Sequence, residues 1–199
     1  KIDHGYARYK TKKSDKKMEA KKIIITGGAT RIGSAIAKSL VSFETKIGIH
    51  FNKSKSSALK LKKELEELGA EVYLFKADLN NLKQTETLIK KAYKTLKGLD
   101  CLINNASIFE NDNLENFSEK SFTKHININL KAPAILTQNF KKLIKNKEGC
   151  IINIIDQRVE KLTPFFFSYT LSKSSLATFT KTSAMKLAPN IRVNGICLL

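Results

Sequence analysis

The run Lys21-Lys-Ile-Ile-Ile-Thr-Gly-Gly-Ala-Thr-Arg-Ile-Gly33 constrains this chain more than any other stretch. A short β-branched strand breaks at a glycine turn and reopens as an amphipathic helix, the layout that cradles nucleotide phosphates. Gly27 permits the tight turn and Gly33 lets helix and strand approach closely, while unpaired N–H groups at the helix start face an anion. Arg31, followed by Ile32, stands where a plain dinucleotide fingerprint has its middle glycine. A guanidinium there adds to a site that the helix end already makes positive, so the turn suits a ligand carrying extra negative charge.

From Lys22 onward, short apolar runs alternate with helical periods. Strands are expected near Ile23–Thr26, Lys46–His50, Glu71–Lys76, Leu99–Asn104, Cys150–Ile155 and Ile191–Ile196. Between them, Leu59, Leu61, Leu65 and Leu68 are read as the apolar stripe of one helix, and Leu88, Ile89, Ala92 and Leu96 as that of the next. Regular alternation implies a parallel sheet covered on both faces through right-handed crossovers. The expectation is a single α/β domain, a doubly wound parallel sheet of the Rossmann kind, with its ligand beyond the carboxyl ends of the strands. A chain of 199 residues fits one such domain. Residues 1–21, polar and lysine-rich, are read as a basic tail, leaving 22–199 as the nucleotide-binding domain.

The formal net charge of +18 would ordinarily suggest nucleic acid, yet the only arginines are Arg8, Arg31, Arg158 and Arg192. The lysines are scattered over helix surfaces, unlike a phosphate-reading patch of clustered arginine and aromatics, so no nucleic-acid partner is expected. No apolar run is long enough for a bilayer and no signal pattern opens the chain, which points to a soluble cytoplasmic protein. Cys101, Cys150 and Cys197 lack metal-ligand spacing and read as buried inert thiols. His4 and His125 belong to no constellation and are expected at the surface.

A protein choosing NAD places Asp or Glu after the second strand to accept from the ribose 2′-hydroxyl. Here the strand runs into His50-Phe51-Asn52-Lys53-Ser54, a polar and cationic loop suited to a 2′-phosphate, so NADPH is the expected cofactor. The same loop also reads as a solvated turn with a helix cap at Ser54. Asp78, after the third strand, stands where it would bond an adenine amino group or cap the following helix.

Tyr169 and Lys173 are four apart and share a helix face, where an ammonium would favour the phenolate and lower the tyrosine pKa. Tyr6 with Lys10, Tyr9 with Lys13 and Tyr93 with Lys97 have the same spacing, so position decides: Tyr169 opens a helix after the fifth strand, on the ligand side of the sheet. Taken with the glycine turn, Asn104-Asn105-Ala106, Asn129 and Arg192-Val193-Asn194, these residues resemble the short-chain dehydrogenase/reductase family from Lys22 to Ile196. The resemblance implies that Asn105 and Ala106 support the cofactor, that Asn129 helps relay protons and that Lys173 bonds the nicotinamide ribose. Asn127 is a chemically equal neighbour of Asn129; the Leu-Lys-Ala-Pro run that follows favours Asn129.

Most members of that family carry a carbonyl-orienting serine where this chain has Asp156, thirteen positions before Tyr169. With Arg31, the loop from His50 to Ser54, and Ser107-x-Phe109, this departure is similar to the pteridine reductase and dihydromonapterin reductase branch. That likeness implies Phe109 stacking a pterin, Ser107 and Arg31 touching pterin and cofactor, and Asp156 assisting Tyr169. Reducing a ring C=N bond needs hydride at carbon and a proton at nitrogen, which a carboxyl group beside the acid suits. Asp156 as a turn cap and Phe109 as a core aromatic are the plainer readings.

Family members continue past the segment ending at Ile196 into a lid and a last strand, whereas this chain gives Cys197-Leu198-Leu199. The expectation is therefore a domain without the family's last strand, its sixth strand an exposed edge and the family's homo-tetramer in question. Three functions follow: an NADPH-dependent pteridine reductase, a carbonyl reductase such as a 3-oxoacyl reductase, or a silent truncated remnant that binds nucleotide at most.

Overall fold

The computed structural model describes residues 21–42 and 44–198. Strands and helices alternate: β1 (Lys21–Ile25), α1 (Arg31–Ser39), β2 (Thr45–Phe51), α2 (Lys55–Glu67), β3 (Glu71–Lys76), α3 (Leu82–Thr95), β4 (Cys101–Asn104), α4 (Glu119–Ile126), α5 (Ala132–Ile144), β5 (Gly149–Asp156), α6 (Phe167–Leu187) and β6 (Ile191–Leu198). A π-helical turn, Asn127–Lys131, joins α4 to α5, and a 3₁₀ turn, Gln157–Val159, follows β5. All six strands are parallel in the order β3-β2-β1-β4-β5-β6. The doubly wound sheet expected from the alternation is the fold observed.

Two apolar cores flank the sheet. On one face Ile24, Leu102, Ile151 and Val193 meet Leu88, Ile89, Ala92 and Leu96 of the α3 segment and Leu136 and Phe140 of α5. On the other, Ile23, Ile25, Ile47 and Ile49 meet Ala37 of α1 and Ala58, Leu61 and Leu65 of α2. Leu59 and Leu68, assigned by sequence to the α2 stripe, are instead exposed. Residues two apart cannot share a helix face, and the buried set keeps the three- and four-residue spacing from Ala58.

Lys21, expected to close the tail, opens β1: its N–H donates to the Glu44 carbonyl at 2.7 Å and it pairs with Thr45. Residues 1–20, with Tyr6, Tyr9 and His4, lie outside the described residues. His125 is fully buried, with Nδ1 at 2.8 Å from the Ser121 carbonyl and Nε2 accepting from the Glu110 N–H at 3.4 Å, so it is no surface residue. The cysteines also depart from expectation. Cys101 and Cys150 are half-buried on adjacent strands, and Cys197 is exposed on β6. Among the described residues β6 forms the sheet edge, as expected, with Arg192, Asn194 and Ile196 exposed.

A chain of buried polar contacts crosses the middle of the sheet. Asn104 Nδ2 on β4 donates to Asn153 Oδ1 on β5 at 2.8 Å, and Asn153 Nδ2 donates to Thr180 Oγ1 on α6 at 2.8 Å. The Thr180 hydroxyl closes the chain by donating to the Leu176 carbonyl at 2.7 Å. Each amide thereby keeps a hydrogen-bond partner inside an apolar core, although Asn104 Oδ1 itself has none.

Candidate active site

The strand order reverses between β1 and β4, and there, beyond the carboxyl ends, the structure opens a cleft of about 530 Å³. Its floor is the glycine turn. Gly27 has φ +59°, and a Cβ there would stand 2.9 Å from the Ala106 Cα. A Cβ on Gly33 would stand 2.2 Å from the Gly27 carbonyl oxygen. Asn105 braces the turn by donating from Nδ2 to the Thr26 and Gly27 carbonyls at 2.9 and 3.1 Å, and the Ala106 N–H donates to Thr26 Oγ1 at 3.0 Å. Arg31, with φ +50°, starts α1 at the cleft wall beside Ile32.

His50 lines the cleft from within the protein rather than as a free cation. Nδ1 accepts the Gly27 N–H at 3.0 Å, and Nε2 lies 3.1 Å from the Ala77 carbonyl. Burial lowers its pKa to about 4, so the ring is neutral and both nitrogens are engaged. The imidazole expected to suit a 2′-phosphate is instead engaged within the protein, where His50 ties the glycine turn to the end of β3. Asn52 and Asp78 line the cleft, whereas Ser54 is the cap residue of α2 and is not part of the wall. Asp78 closes a turn by accepting the Asn80 N–H at 3.0 Å, and the cap of α3 is Asn81.

At the other end of the cleft, Tyr169 donates from its hydroxyl to Asp156 Oδ2 at 2.9 Å. Oδ1 of the same carboxylate accepts the Arg158 N–H at 2.9 Å, with Arg158 Nη1 at 3.7 Å. Lys173 is buried one helical turn from Tyr169, and its Nζ donates to the Ile154 carbonyl at 2.8 Å. Its pKa is lowered to about 8, burial outweighing the attraction of Asp156. Tyr169 contradicts the expectation of a lowered pKa: burial, then the hydrogen bond and charge of Asp156, push it upward. The Arg158 charge and a hydrogen bond from Ser107 only partly oppose this. The tyrosine is therefore held as the phenol, a form able to give up a proton.

Phe109 is half exposed, and one face is stacked on Phe166 with centroids 4.2 Å apart and planes 6° from parallel. Its ring also meets Tyr169 edge-on at 4.7 Å, and the Arg158 guanidinium lies 5.0 and 4.6 Å from the Phe109 and Phe166 centroids. The two phenylalanines thus form an aromatic wall beside the phenol, with a cation against them.

Asn129 is fully buried behind the wall. Oδ1 accepts from Ser107 Oγ at 3.1 Å and the Ile108 N–H at 2.9 Å, and Nδ2 donates to the Ile108 carbonyl at 3.1 Å and Ser172 Oγ at 3.0 Å. All its polar groups are occupied, so Asn129 fixes the loop that carries Ser107 to the helix that carries Tyr169. None of these bonds goes directly to Tyr169 or Lys173. Asn127, its sequence alternative, instead donates to Asn80 Oδ1 at 3.0 Å.

Three further residues went unassigned from sequence. Arg158 holds Asp156, and Phe166, in a left-handed conformation (φ 58°, ψ 42°), backs Phe109. Asp112 supplies what α6 lacks locally: Oδ1 accepts the Ser168 N–H at 2.9 Å and its carbonyl accepts the Phe167 N–H at 3.1 Å. A carboxylate at a helix start complements the free N–H groups and the dipole. Asp112 lies 56 residues from Ser168, so no local pattern announces this cap.

Known proteins share this fold. The FolM alternative dihydrofolate reductase 1 of Brucella suis, crystallised with NADP, is 39% identical and superposes with a TM-score of 0.82, over 88% of this chain and 73% of that one. A short chain dehydrogenase from Burkholderia cenocepacia, also with NADP, is 26% identical with a TM-score of 0.84, over 89% of this chain and 73% of that one. Nodulation protein G of a Rhizobium strain is 31% identical over 181 residues, 90% of this chain and 72% of its own. The family model described as short chain dehydrogenase matches residues 21–198. With the sheet order, the glycine turn and the cleft at the reversal point, that match makes this chain an oxidoreductase of the short-chain dehydrogenase family.

Proposed function

We propose that this chain is an NADPH-dependent reductase of dihydropterins. The observation that carries the reading is the Asp156 carboxylate in direct contact with the Tyr169 hydroxyl at 2.9 Å, where a carbonyl reductase of the family would present a serine. The 39% identity to a dihydrofolate reductase crystallised with NADP points the same way.

The turn fits a dinucleotide, because Gly27 and Gly33 leave open the approaches that a Cβ would fill. Arg31 and Asn52, on the cleft wall, would hold a 2′-phosphate, since His50 is engaged within the protein, and Asn105, Ala106 and Ser107, which line the same cleft, would hold the rest of the dinucleotide. The bound cofactor supplies hydride. Lys173, Phe109 and Tyr169 then set the geometry of acceptance: Lys173 offers an ammonium to a ribose hydroxyl, Phe109 a ring face to a flat substrate, and Tyr169 a proton to the ring nitrogen. Asp156 orients the phenol hydrogen, and Arg158 holds Asp156.

NADPH oxidation by the purified chain, with a dihydropterin against a 3-oxoacyl thioester, tests the reading. Pterin-dependent oxidation abolished in Tyr169→Phe and Asp156→Ala is the expected result; preference for the thioester, or full pterin activity in either variant, overturns it.

A further inference from the structure

At the amino-terminal ends of β4 and β5, away from the cleft, Cys101 and Cys150 are direct partners in the parallel ladder. Both residues are half-buried. Arg192 is the partner of Cys150 on β6, so Cys101, Cys150 and Arg192 form one row across three strands on one sheet face. Partners on neighbouring strands lie about 4.8 Å apart. That is within the Cα separation of about 4.4–6.8 Å usual for a disulfide.

The two thiols are not equivalent. The adjacent Cys101 and the charge of Arg192 lower the pKa of Cys150, while the adjacent Cys150, burial and the Asp100 carboxylate raise that of Cys101. Cys150, the ladder partner of Arg192, is accordingly the nucleophile and Cys101 the resolving thiol. Neither takes part in the proposed reduction. Cys197 lies an odd number of residues beyond Arg192 on β6, hence on the opposite face, and pairs with Ile155.

We propose that Cys101 and Cys150 form a two-thiol modification site that peroxide-class oxidants convert to an intrachain disulfide. The Cys150 thiolate attacks a peroxide oxygen, breaking the O–O bond and giving a sulfenic acid with release of hydroxide, which water-borne protons neutralise. The Cys101 sulfur then attacks the Cys150 sulfur; the S–O bond breaks and water leaves with the Cys101 proton. Overall two thiols lose two electrons and two protons, and one hydrogen peroxide becomes two waters.

The test is peroxide titration of the reduced full chain, with thiols counted under denaturing conditions and intact mass and non-reducing peptide maps recorded. Two of the three thiols should disappear together, with loss of two hydrogens in mass and a peptide joining Cys101 to Cys150. Cys197→Ser should leave that outcome unchanged. Cys150→Ser should slow oxidation at Cys101 by roughly tenfold or more, because the lower-pKa thiol is gone. Cys101→Ser should leave a sulfenic acid at Cys150 that dimedone captures. Thiol loss confined to Cys197, oxygen gain without the joined peptide, or equal oxidation rates for Cys101 with and without Cys150 would overturn the proposal.

Discussion

The Tyr169 hydroxyl bonds Asp156 and not Lys173: it donates to Oδ2 at 2.9 Å, while the Lys173 ammonium, 5.8 Å from the Tyr169 ring centroid, donates to the Ile154 carbonyl at 2.8 Å. Burial of the ring and the Asp156 carboxylate hold the phenol protonated, and the lysine lines the same cleft with its own pKa lowered to about 8.

Removing the phenol hydroxyl should therefore remove the proton step and little else. Tyr169→Phe is expected to lower kcat by about 10²–10⁴-fold, the usual worth of a general acid. The dissociation constant for NADPH, read by fluorescence titration, should stay within about threefold. A similar kcat loss accompanied by lost cofactor binding would contradict this separation.

Lys173 sets an alkaline limit. If its ammonium is the form that serves the reaction, kcat/KM falls as pH rises through about 8, where the buried group deprotonates, rather than near 10.5. Lys173→Arg keeps its charge at all accessible pH and should remove this limb, even at reduced absolute rate. A flat profile from pH 7 to 9.5 in the unaltered chain would count against the lysine.

His50 ties stability to acid pH. Its folded pKa is about 4 against 6.5 for an exposed histidine, so between those values the unfolded chain binds the proton that the folded one refuses. Stability is full above pH 6.5, declines as pH falls towards 4 and then levels, a loss of about 3 kcal/mol for this group alone. Urea midpoints across that window should show the decline. His50→Gln should flatten it while lowering stability throughout, since an amide replaces the ring less well between Gly27 and Ala77.

The turn itself should tolerate no side chain at Gly33. In Gly33→Ala the new carbon would stand 2.2 Å from the Gly27 oxygen and 2.6 Å from Asn105 Nδ2, so the turn must open. A stability loss of about 1–3 kcal/mol is expected from such overpacking. NADPH affinity should fall at least about tenfold, because the N–H groups facing the phosphates shift with the turn. Melting and fluorescence titration check the two effects separately.

Asp112 offers a test of the long-range cap. Asp112→Ala leaves the Ser168 N–H without its carboxylate partner and should cost about 0.5–2 kcal/mol. Because Ser168 precedes Tyr169, kcat should fall with it; Asp112→Asn, which retains an acceptor, should recover most of both.

Local patterns read most clearly where a residue's role depends on its own neighbours. β1, the glycine turn and the α3 stripe of Leu88, Ile89 and Ala92 announce themselves through spacing and side-chain shape. α2 misleads because lysines and leucines interleave, and only packing against Ile47 and Ile49 shows that Leu61 and Leu65 face inward while Leu59 does not. At the site, the glycines and the Asp156–Tyr169 spacing were legible. The protonation of His50 and Tyr169 was not, because burial sets it, and burial comes from strands and helices distant in sequence. Asp112 and Arg158 were invisible for the same reason: each acts on a group that only the fold brings near.

The amides of Asn104 and Asn153 have a consequence for assembly of the sheet. Its inner strands β1, β4 and β5 are short aliphatic runs, and hydrophobic contact alone distinguishes one poorly from another. A buried amide is tolerable beside a second amide and costly beside an aliphatic neighbour. The pair thus works as an address: it tells β4 which strand to dock against, and at which residue, before any ligand is present to reward the correct choice.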